Sequence, residues 1–239
     1  MRKARPILFT GPNVTNILSG RKTQTRRILK PLMGPGWRPE TANGEPYRLG
    51  MITSPHPKKR RFGVFMRREI HPGSGKYEHD LVPCPYGAPG DLLWVREAWM
   101  GPLMSHEECM EYWRSGSAKF ETPKHCQYAA DGGPRPEYMD ADDNLRQGWK
   151  PSIHMPRWAS RLTLEINEVR VERLQDISNE DAIEEGIGTP RDLRYAIQDG
   201  FRPLWESING PGSWAKNPWV WVVKFTAHPI NVDRFLEDH

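Results

Sequence analysis

Basic side chains cluster in the first third of the chain, and clustered basic side chains can bind phosphates. Residues 1–80 hold 17 Lys and Arg against 5 Asp and Glu, whereas residues 81–239 hold 17 against 25. The basic part contains Arg26-Arg27-Lys30 and Lys58-Lys59-Arg60-Arg61, followed by Arg67-Arg68. Because Lys and Arg neutralise phosphates and release counterions, this pattern indicates a surface that binds nucleic acid. For the run 58–61 taken alone, a solvated basic loop is the alternative.

Cysteine and histidine are the other residue types that could do chemistry here. The three cysteines, Cys84, Cys109 and Cys126, are far apart and form no Cys-x-x-Cys pair. This spacing argues against a disulfide framework and against the common zinc modules, so we predict no metal and no cofactor. The alternative is a metal site that combines cysteines with histidines, for which the candidates are His79, His106 and His125.

Length and composition limit the class of protein. A chain of 239 residues can form one domain with large insertions, which we favour over two domains. The hydrophobic fraction of 37% is low, but 10 Trp residues need burial partners, so the chain is expected to fold. No apolar run is long enough for a membrane helix or a signal peptide, which predicts a cytoplasmic protein without a membrane partner. The oligomeric state is left open.

The elements predicted in the first half leave a long irregular stretch between them. Residues 7–9 are typical of a short buried strand, and Gly11-Pro12 opens a helix that Gly20 can end. A second strand is expected over 23–29. The Pro-rich and Gly-rich stretch 31–81 has little periodicity, so we interpret it as an insertion with one hairpin near 61–70.

The second half begins with a strong turn signal at Tyr86 to Asp91, which predicts a buried strand over 92–97. Residues 99–150 form a second insertion, helical over 104–113 and a long loop from 131 to 148. The alternation in 161–173 predicts a half-buried strand with a phase change near Asn167-Glu168. The remaining predictions are a capped helix that starts at Ser178 and ends at Gly186, a helix over 201–208 that packs Leu204, Trp205 and Ile208, and a last strand over 219–225.

This order of elements has no repeating βαβ rhythm. It favours an α+β fold built on a small mixed β-barrel with flanking helices. The predicted single domain spans 1–239, with core segments 5–30, 82–98 and 151–228 and the insertions 31–81 and 99–150.

The segment Gly20-Arg21-Lys22-Thr23-Gln24-Thr25-Arg26-Arg27 resembles the Gly-x-Lys-Thr-x-Thr-x-Arg signature of the ASCH superfamily. Pro89-Gly90-Asp91, the helix after the long strand and the closing strand come in the expected order. The long form of the chain is similar to phage and prophage members of that superfamily. The resemblance covers about half of the chain and implies a PUA-like fold. It also implies RNA binding, or hydrolysis of nucleic-acid substrates, as in small members that deacetylate N4-acetylcytidine and in others described as ribonucleases.

The resemblance also implies particular site residues. The lysine of the amidohydrolase signature falls on Lys22, its threonine on Thr25 and its glutamate on Glu185, with Glu184 as the neighbouring alternative. We expect these residues to be catalytic and to meet in one pocket. We expect the substrate, a nucleoside or RNA with DNA as the alternative, to contact the arginines of the signature and the strand 92–97. These residues are Arg21, Arg26, Arg27, Trp94, Arg96 and Glu97.

Such residues can hydrolyse an amide if the threonine is activated. A threonine hydroxyl attacks a carbonyl only when a base takes its proton, and Lys22 can be that base only if its pKa is lowered. Residues three apart on an ideal strand point to opposite faces, so Lys22 is expected in the turn before the strand. The alternative is structural, with Lys22 as a cation at a helix end and Thr25 as an ordinary strand residue.

Two other functions remain open. One is a non-catalytic RNA- or DNA-binding module that uses the same cleft and the basic run Lys58 to Arg61. The other is a metal-free ribonuclease, to which His71, His79 or His154 could supply the acid and base.

Overall fold

The computed structural model describes residues 2–30, 35–41, 47–53, 57–116, 119–139, 144–187 and 195–239. These residues form a mixed α+β fold. Its strands are β1 (Ala4–Leu8), β2 (Gln24–Ile28), β3 (Arg38–Pro39), β4 (Leu49–Met51), β5 (Phe62–Glu69), β6 (Tyr77–Pro83), β7 (Leu92–Arg96), β8 (Trp99–Met100), β9 (Gln127–Tyr128), β10 (Glu137–Met139), β11 (Leu145–Gln147), β12 (Thr163–Arg173) and β13 (Trp219–His228). Its helices are α1 (Gly11–Leu18), α2 (His106–Ser115), α3 (Asn179–Glu184), α4 (Arg202–Asn209) and α5 (Val232–Asp238).

The chain divides into two compact units that alternate along the sequence. The first unit consists of Met1–Arg21, Leu92–Glu165 and Thr226–His239, and the second of Lys22–Asp91 and Ile166–Phe225. The long strands β12 and β13 each contribute residues to both units. The prediction of one domain over 1–239 stays a prediction.

In the first unit, β1 lies parallel to β7, and β7 lies antiparallel to the start of β12. The apolar residues of β7 are buried on both sides, as the absence of polar alternation predicts. On this part of the sheet α5 packs Val232 and Phe235 against Leu92.

In the second unit, β13 pairs antiparallel with β2, with Val223 opposite Thr25. The core beside this pair joins β13 to α4 and to the segment before α3, through Val220, Val222, Trp205, Leu174 and Ile177. A separate sheet of order β3-β5-β4, with β6 paired to β5, forms from residues 38–83. The second unit thus contains the predicted signature from Lys22 onward and the range 31–81 of the first predicted insertion.

Several predicted elements are confirmed, and others are wrong. The strands β7, β12 and β13 and the helices α1, α2, α3 and α4 lie where the patterns predict, and Asn167 and Glu168 are both exposed where β12 changes phase. The hairpin predicted near 61–70 is confirmed in part: these residues form its first strand, β5, whereas its second strand, β6, lies beyond the predicted bounds. Ile208 is exposed rather than packed. The loop predicted from 131 to 148 contains a short hairpin of β10 and β11, while its residues 140–143 lie outside the described residues.

The α+β class is confirmed, whereas the barrel is not. In the described part of the chain the strand orders are open paths, and no sheet closes on itself. No described helix has both the length and the apolar character needed to cross a bilayer.

Candidate functional site

The end of α3 lies against the start of β2, and this contact builds the site. Ser178 caps α3 by accepting a hydrogen bond from the backbone N–H of Asp181, and Gly186 ends it with a positive φ of 91°. The N–H of Thr23 then donates to the carbonyl of Glu184 at 2.8 Å. Lys22 and Glu185 form a β-bridge as a result, so two residues far apart in sequence become neighbours.

Lys22 is a buried cation at this bridge. Its Nζ donates to Oε2 of Glu185 at 2.6 Å and to the Glu185 carbonyl at 2.9 Å, and the residue is 3% exposed. Burial lowers the pKa of Lys22; Glu185 opposes that change, whereas the charges of Arg27 and Arg26 add to it. The net effect is a lysine that loses its proton more readily than one in water.

Arg26 holds the other oxygen of the same carboxylate. Its Nη1 donates to Oε1 of Glu185 at 3.2 Å, while Nη2 donates to Glu172 at 2.6 Å and to Asp181 at 2.8 Å. The Arg26 side chain is fully buried, so these contacts lie away from solvent. Glu185 is therefore fixed between two cations, with one oxygen on Arg26 and the other on Lys22.

A second layer of charges supports Arg26. Arg170 donates to Glu172 at 3.0 Å and to both oxygens of Asp181, and the Gln24 amide donates to Asp181 at 3.1 Å. Burial of Asp181 works against its ionisation, but Arg26 and Arg170 outweigh it and hold the pKa of this carboxyl below its ordinary value. The network keeps every buried charge paired, which a buried ionic group requires.

Thr25 lies on β2, but its side chain does not share a face of the strand with those of Gln24 and Arg26. Gln24 and Arg26 both reach Asp181, and successive strand residues point to opposite faces, so the Thr25 side chain leaves β2 on the other face. Thr25 is 3% exposed, and its hydroxyl makes no hydrogen bond within the described residues. Within the described residues the structure therefore brings Lys22 and Glu185 together, whereas Thr25, on β2, makes no side-chain hydrogen bond to either.

Glu185 rather than Glu184 occupies the position beside Lys22. Glu184 points instead to Lys224, with 2.9 Å between the charged atoms, at a partly exposed position. The one-residue alternative raised by the sequence thus corresponds to a different ion pair.

The predicted substrate-binding residues fall into both units. Arg26 and Arg27 belong to the second unit, where burial lowers the pKa of Arg27. The other four belong to the first unit. Arg21 is exposed and donates to Ser19, and the Arg96 guanidinium lies over the Trp94 ring and donates to the Ile153 carbonyl.

Glu97, also in the first unit, is 1% exposed. Arg161 binds it through two nitrogens, at 3.0 and 3.1 Å, and also binds Asp131. Burial raises the pKa of Glu97 in spite of Arg161. Glu97 therefore forms a structural ion pair with Arg161 within the first unit.

The basic run forms a turn before β5. Lys58 is half-buried and donates to Asp80 at 2.5 Å and to the Leu81 carbonyl at 2.9 Å. Lys59, Arg60 and Arg61 are exposed. Arg67 and Arg68 are adjacent on β5 and so point to opposite faces; Arg67 lies over Tyr77, whereas Arg68 pairs with Glu78. The nucleic-acid-binding surface that the basic clusters at 58–61 and 67–68 indicate stays a prediction.

Sequence reasoning missed Asp181 and Glu172. Asp181 precedes Glu185 by four residues, the spacing that puts two side chains on one helix face. Glu172 and Arg170 alternate on β12 and therefore share a face. Both spacings are visible in the sequence. Only the structure shows that the carboxylates of Asp181, on α3, and Glu172, on β12, both bind Arg26.

No cluster of three or more metal-ligating side chains occurs in the described part of the chain, and the cysteines are free thiols. No family model, curated protein or solved structure matches this chain. The ASCH resemblance therefore rests on the motif residues of the sequence alone.

Proposed function

We propose that the protein is a nucleotide- or RNA-directed hydrolase of the ASCH type with a PUA-like fold. Most concretely, it is an amidohydrolase that removes the acyl group from an N4-acylated cytidine. The observation that supports this proposal is the buried Lys22 amine, whose pKa is lowered while Glu185 holds it at 2.6 Å. A general base must be neutral to accept a proton, and a lowered pKa increases the neutral fraction of a lysine.

In the proposed reaction the Thr25 hydroxyl oxygen attacks the acyl carbon, and its proton passes to the neutral Lys22 amine. Lys22 then donates this proton to N4 of the cytidine as the carbon–nitrogen bond breaks, leaving the acyl group as an ester on Thr25. Water hydrolyses the ester, releases the carboxylic acid and restores the hydroxyl. Glu185 orients Lys22 throughout, since it holds the amine through both its carboxylate and its backbone carbonyl.

The proton transfer from the Thr25 hydroxyl to Lys22 Nζ requires these two atoms to come closer, because the structure shows no hydrogen bond between the two side chains. Lys22 precedes β2 and forms an isolated bridge to Glu185, so its side chain need not follow the alternation of side chains along β2. Catalytic hydrogen bonds often form only when substrate is bound. The proposal therefore requires substrate to bring the Thr25 hydroxyl and Lys22 Nζ within hydrogen-bond distance, directly or through one water.

Incubation with N4-acetylcytidine, and separately with labelled single-stranded RNA, tests the proposal. We expect release of acetate and free cytidine, unchanged by EDTA, and loss of that release in Lys22→Met. Shortened RNA without acetate release would replace the proposal by the metal-free ribonuclease. RNA retained intact, again without acetate release, would replace it by the binding module.

A further inference from the structure

The inserted sheet of the second unit contains a cavity of its own. It has a volume of about 330 Å³ and is lined by apolar and polar side chains, namely Arg48, Met51, Ile52, Thr53, Phe65, His79 and Asp80. Small-molecule pockets begin at roughly 300 Å³, so this one is large enough for a single nucleobase. None of these residues takes part in the Lys22 network described above.

A flat cation forms part of the wall. The Arg48 guanidinium lies 4.5 Å from the centre of the Phe65 ring, and the Arg48 side chain is 54% exposed. One face of this plane packs on the ring, which leaves a planar surface on which an unstacked base can lie, as bases stack on arginine planes in RNA complexes. Thr53, His79 and Asp80 add groups that can hydrogen-bond to the edge of a base.

The exposed basic turn is attached directly to this cavity. Lys58 reaches Asp80 at 2.5 Å, and the N–H of Arg60 donates to the Ile52 carbonyl at 3.0 Å. Both Asp80 and Ile52 line the cavity. The Lys58 ammonium also offsets the Asp80 carboxylate, and Glu40 lies 3.9 Å from Arg48 and 3.5 Å from His79. The turn adds three exposed cations, which are Lys59, Arg60 and Arg61.

We propose that this insertion binds a single-stranded nucleic acid, with one base in the cavity against Arg48 and the neighbouring phosphates on Lys59, Arg60 and Arg61. An aromatic or guanidinium platform next to a row of cations is the arrangement that single-strand binding uses. The site is separate from the proposed catalytic residues and does not depend on hydrolysis.

Anisotropy of the full chain with a labelled RNA of about ten nucleotides, measured over a range of salt, tests the phosphate contacts. The double variant Lys59→Glu/Arg61→Glu should bind at least ten-fold more weakly. Its salt slope should be smaller by roughly 1.4, since each phosphate contact with a single strand contributes about 0.7. Arg60 is left intact because its φ of 61° belongs to the turn. The matched control, Arg135→Glu/Lys216→Glu, reverses two exposed charges elsewhere.

An RNA of the same length whose sugars carry no bases tests the base pocket. The native protein should bind the base-bearing RNA about five-fold or more tightly than the abasic one, which is the lower end of stacking effects. Arg48→Gln should abolish this preference without changing the salt slope. Equal binding of the two RNAs by the native protein would overturn the base pocket. An equal loss in the control and the Lys59/Arg61 variant would overturn the phosphate contacts.

A DNA of the same sequence tells whether the sugar matters to this site. Equal affinity for RNA and DNA is expected, because stacking and phosphate contacts do not involve the 2′-hydroxyl. Binding to the DNA without measurable binding to the RNA would contradict this expectation. Acetate release from N4-acetylcytidine is measured on the same variants. A failure of hydrolysis leaves the RNA result standing, so the two proposals fail separately.

Discussion

Lys22 and Glu185 are 163 positions apart in sequence, yet Lys22 Nζ lies 2.6 Å from Glu185 Oε2 in a place where both side chains are almost fully buried. Glu185 also accepts a hydrogen bond from Arg26, so this one carboxylate binds two cations.

Loss of Glu185 should cost more stability than loss of Lys22. Glu185→Leu leaves a buried ammonium and a guanidinium nitrogen without their carboxylate, and we expect it to lower the free energy of unfolding by about 3–5 kcal/mol. Lys22→Met leaves Glu185 held by Arg26, so its cost should be no more than about half of that. Urea unfolding measures both.

The control for this comparison is Glu184→Gln, which breaks the partly exposed pair with Lys224 and should cost less than about 1 kcal/mol. Lys22→Met as damaging as Glu185→Leu would show that Arg26 does not stabilise the remaining carboxylate.

The pH dependence of stability should carry the signature of Lys22. Its pKa in the folded chain lies below the ordinary value of 10.5, which is expected for the unfolded chain. Between these two pKa values the unfolded chain binds more protons, so the contribution of Lys22 to the free energy of unfolding rises with pH. The unfolding free energy of the native protein minus that of Lys22→Met should therefore increase as pH rises toward 10.5. A decrease would mean that Glu185 raises the pKa more than burial lowers it.

Asp181 should change stability in the same direction as Lys22, but in the acid range. Its lowered pKa means that its stabilising effect is complete above the ordinary value of 3.8 and is lost as pH falls through the folded value. At neutral pH we expect Asp181→Asn to cost about 2 kcal/mol, because Arg26 and Arg170 lose a charged acceptor. The difference in the free energy of unfolding between the native protein and Asp181→Asn should shrink as the pH falls. A difference that stays constant down to the acid unfolding transition would contradict this assignment.

Local patterns predicted the helices α1 to α4 and the strands β7, β12 and β13, but not α5 or β6. The Ser178 cap and Gly186 mark the ends of α3, and the phase change at Asn167-Glu168 is visible in β12. These features depend on residues close in sequence. The hairpin of β5 and β6 was predicted too short, because Gly and Pro residues throughout 31–81 give several turn signals and only strand pairing shows which of them is the turn.

The charge network was predictable only in part. The signature pointed to Lys22 and Glu185, but the partners of Arg26 come from β12 and α3, between 146 and 159 positions away. No spacing rule connects residues at such a separation. Trp94 and Arg96 belong to the first unit and Lys22 to the second, a division that the sequence did not predict.

The central claim is that Lys22 and Thr25 act as one catalytic unit on an N4-acylated cytidine. The most direct measurement is kcat/KM for N4-acetylcytidine in Thr25→Ala, Lys22→Met and the double variant, with circular dichroism to verify folding. Each single variant should lose at least about a hundred-fold in activity, and the double variant should be scarcely worse than either, because nucleophile and base serve the same step. Most of the activity remaining in Thr25→Ala, or losses that multiply in the double variant, would contradict the account.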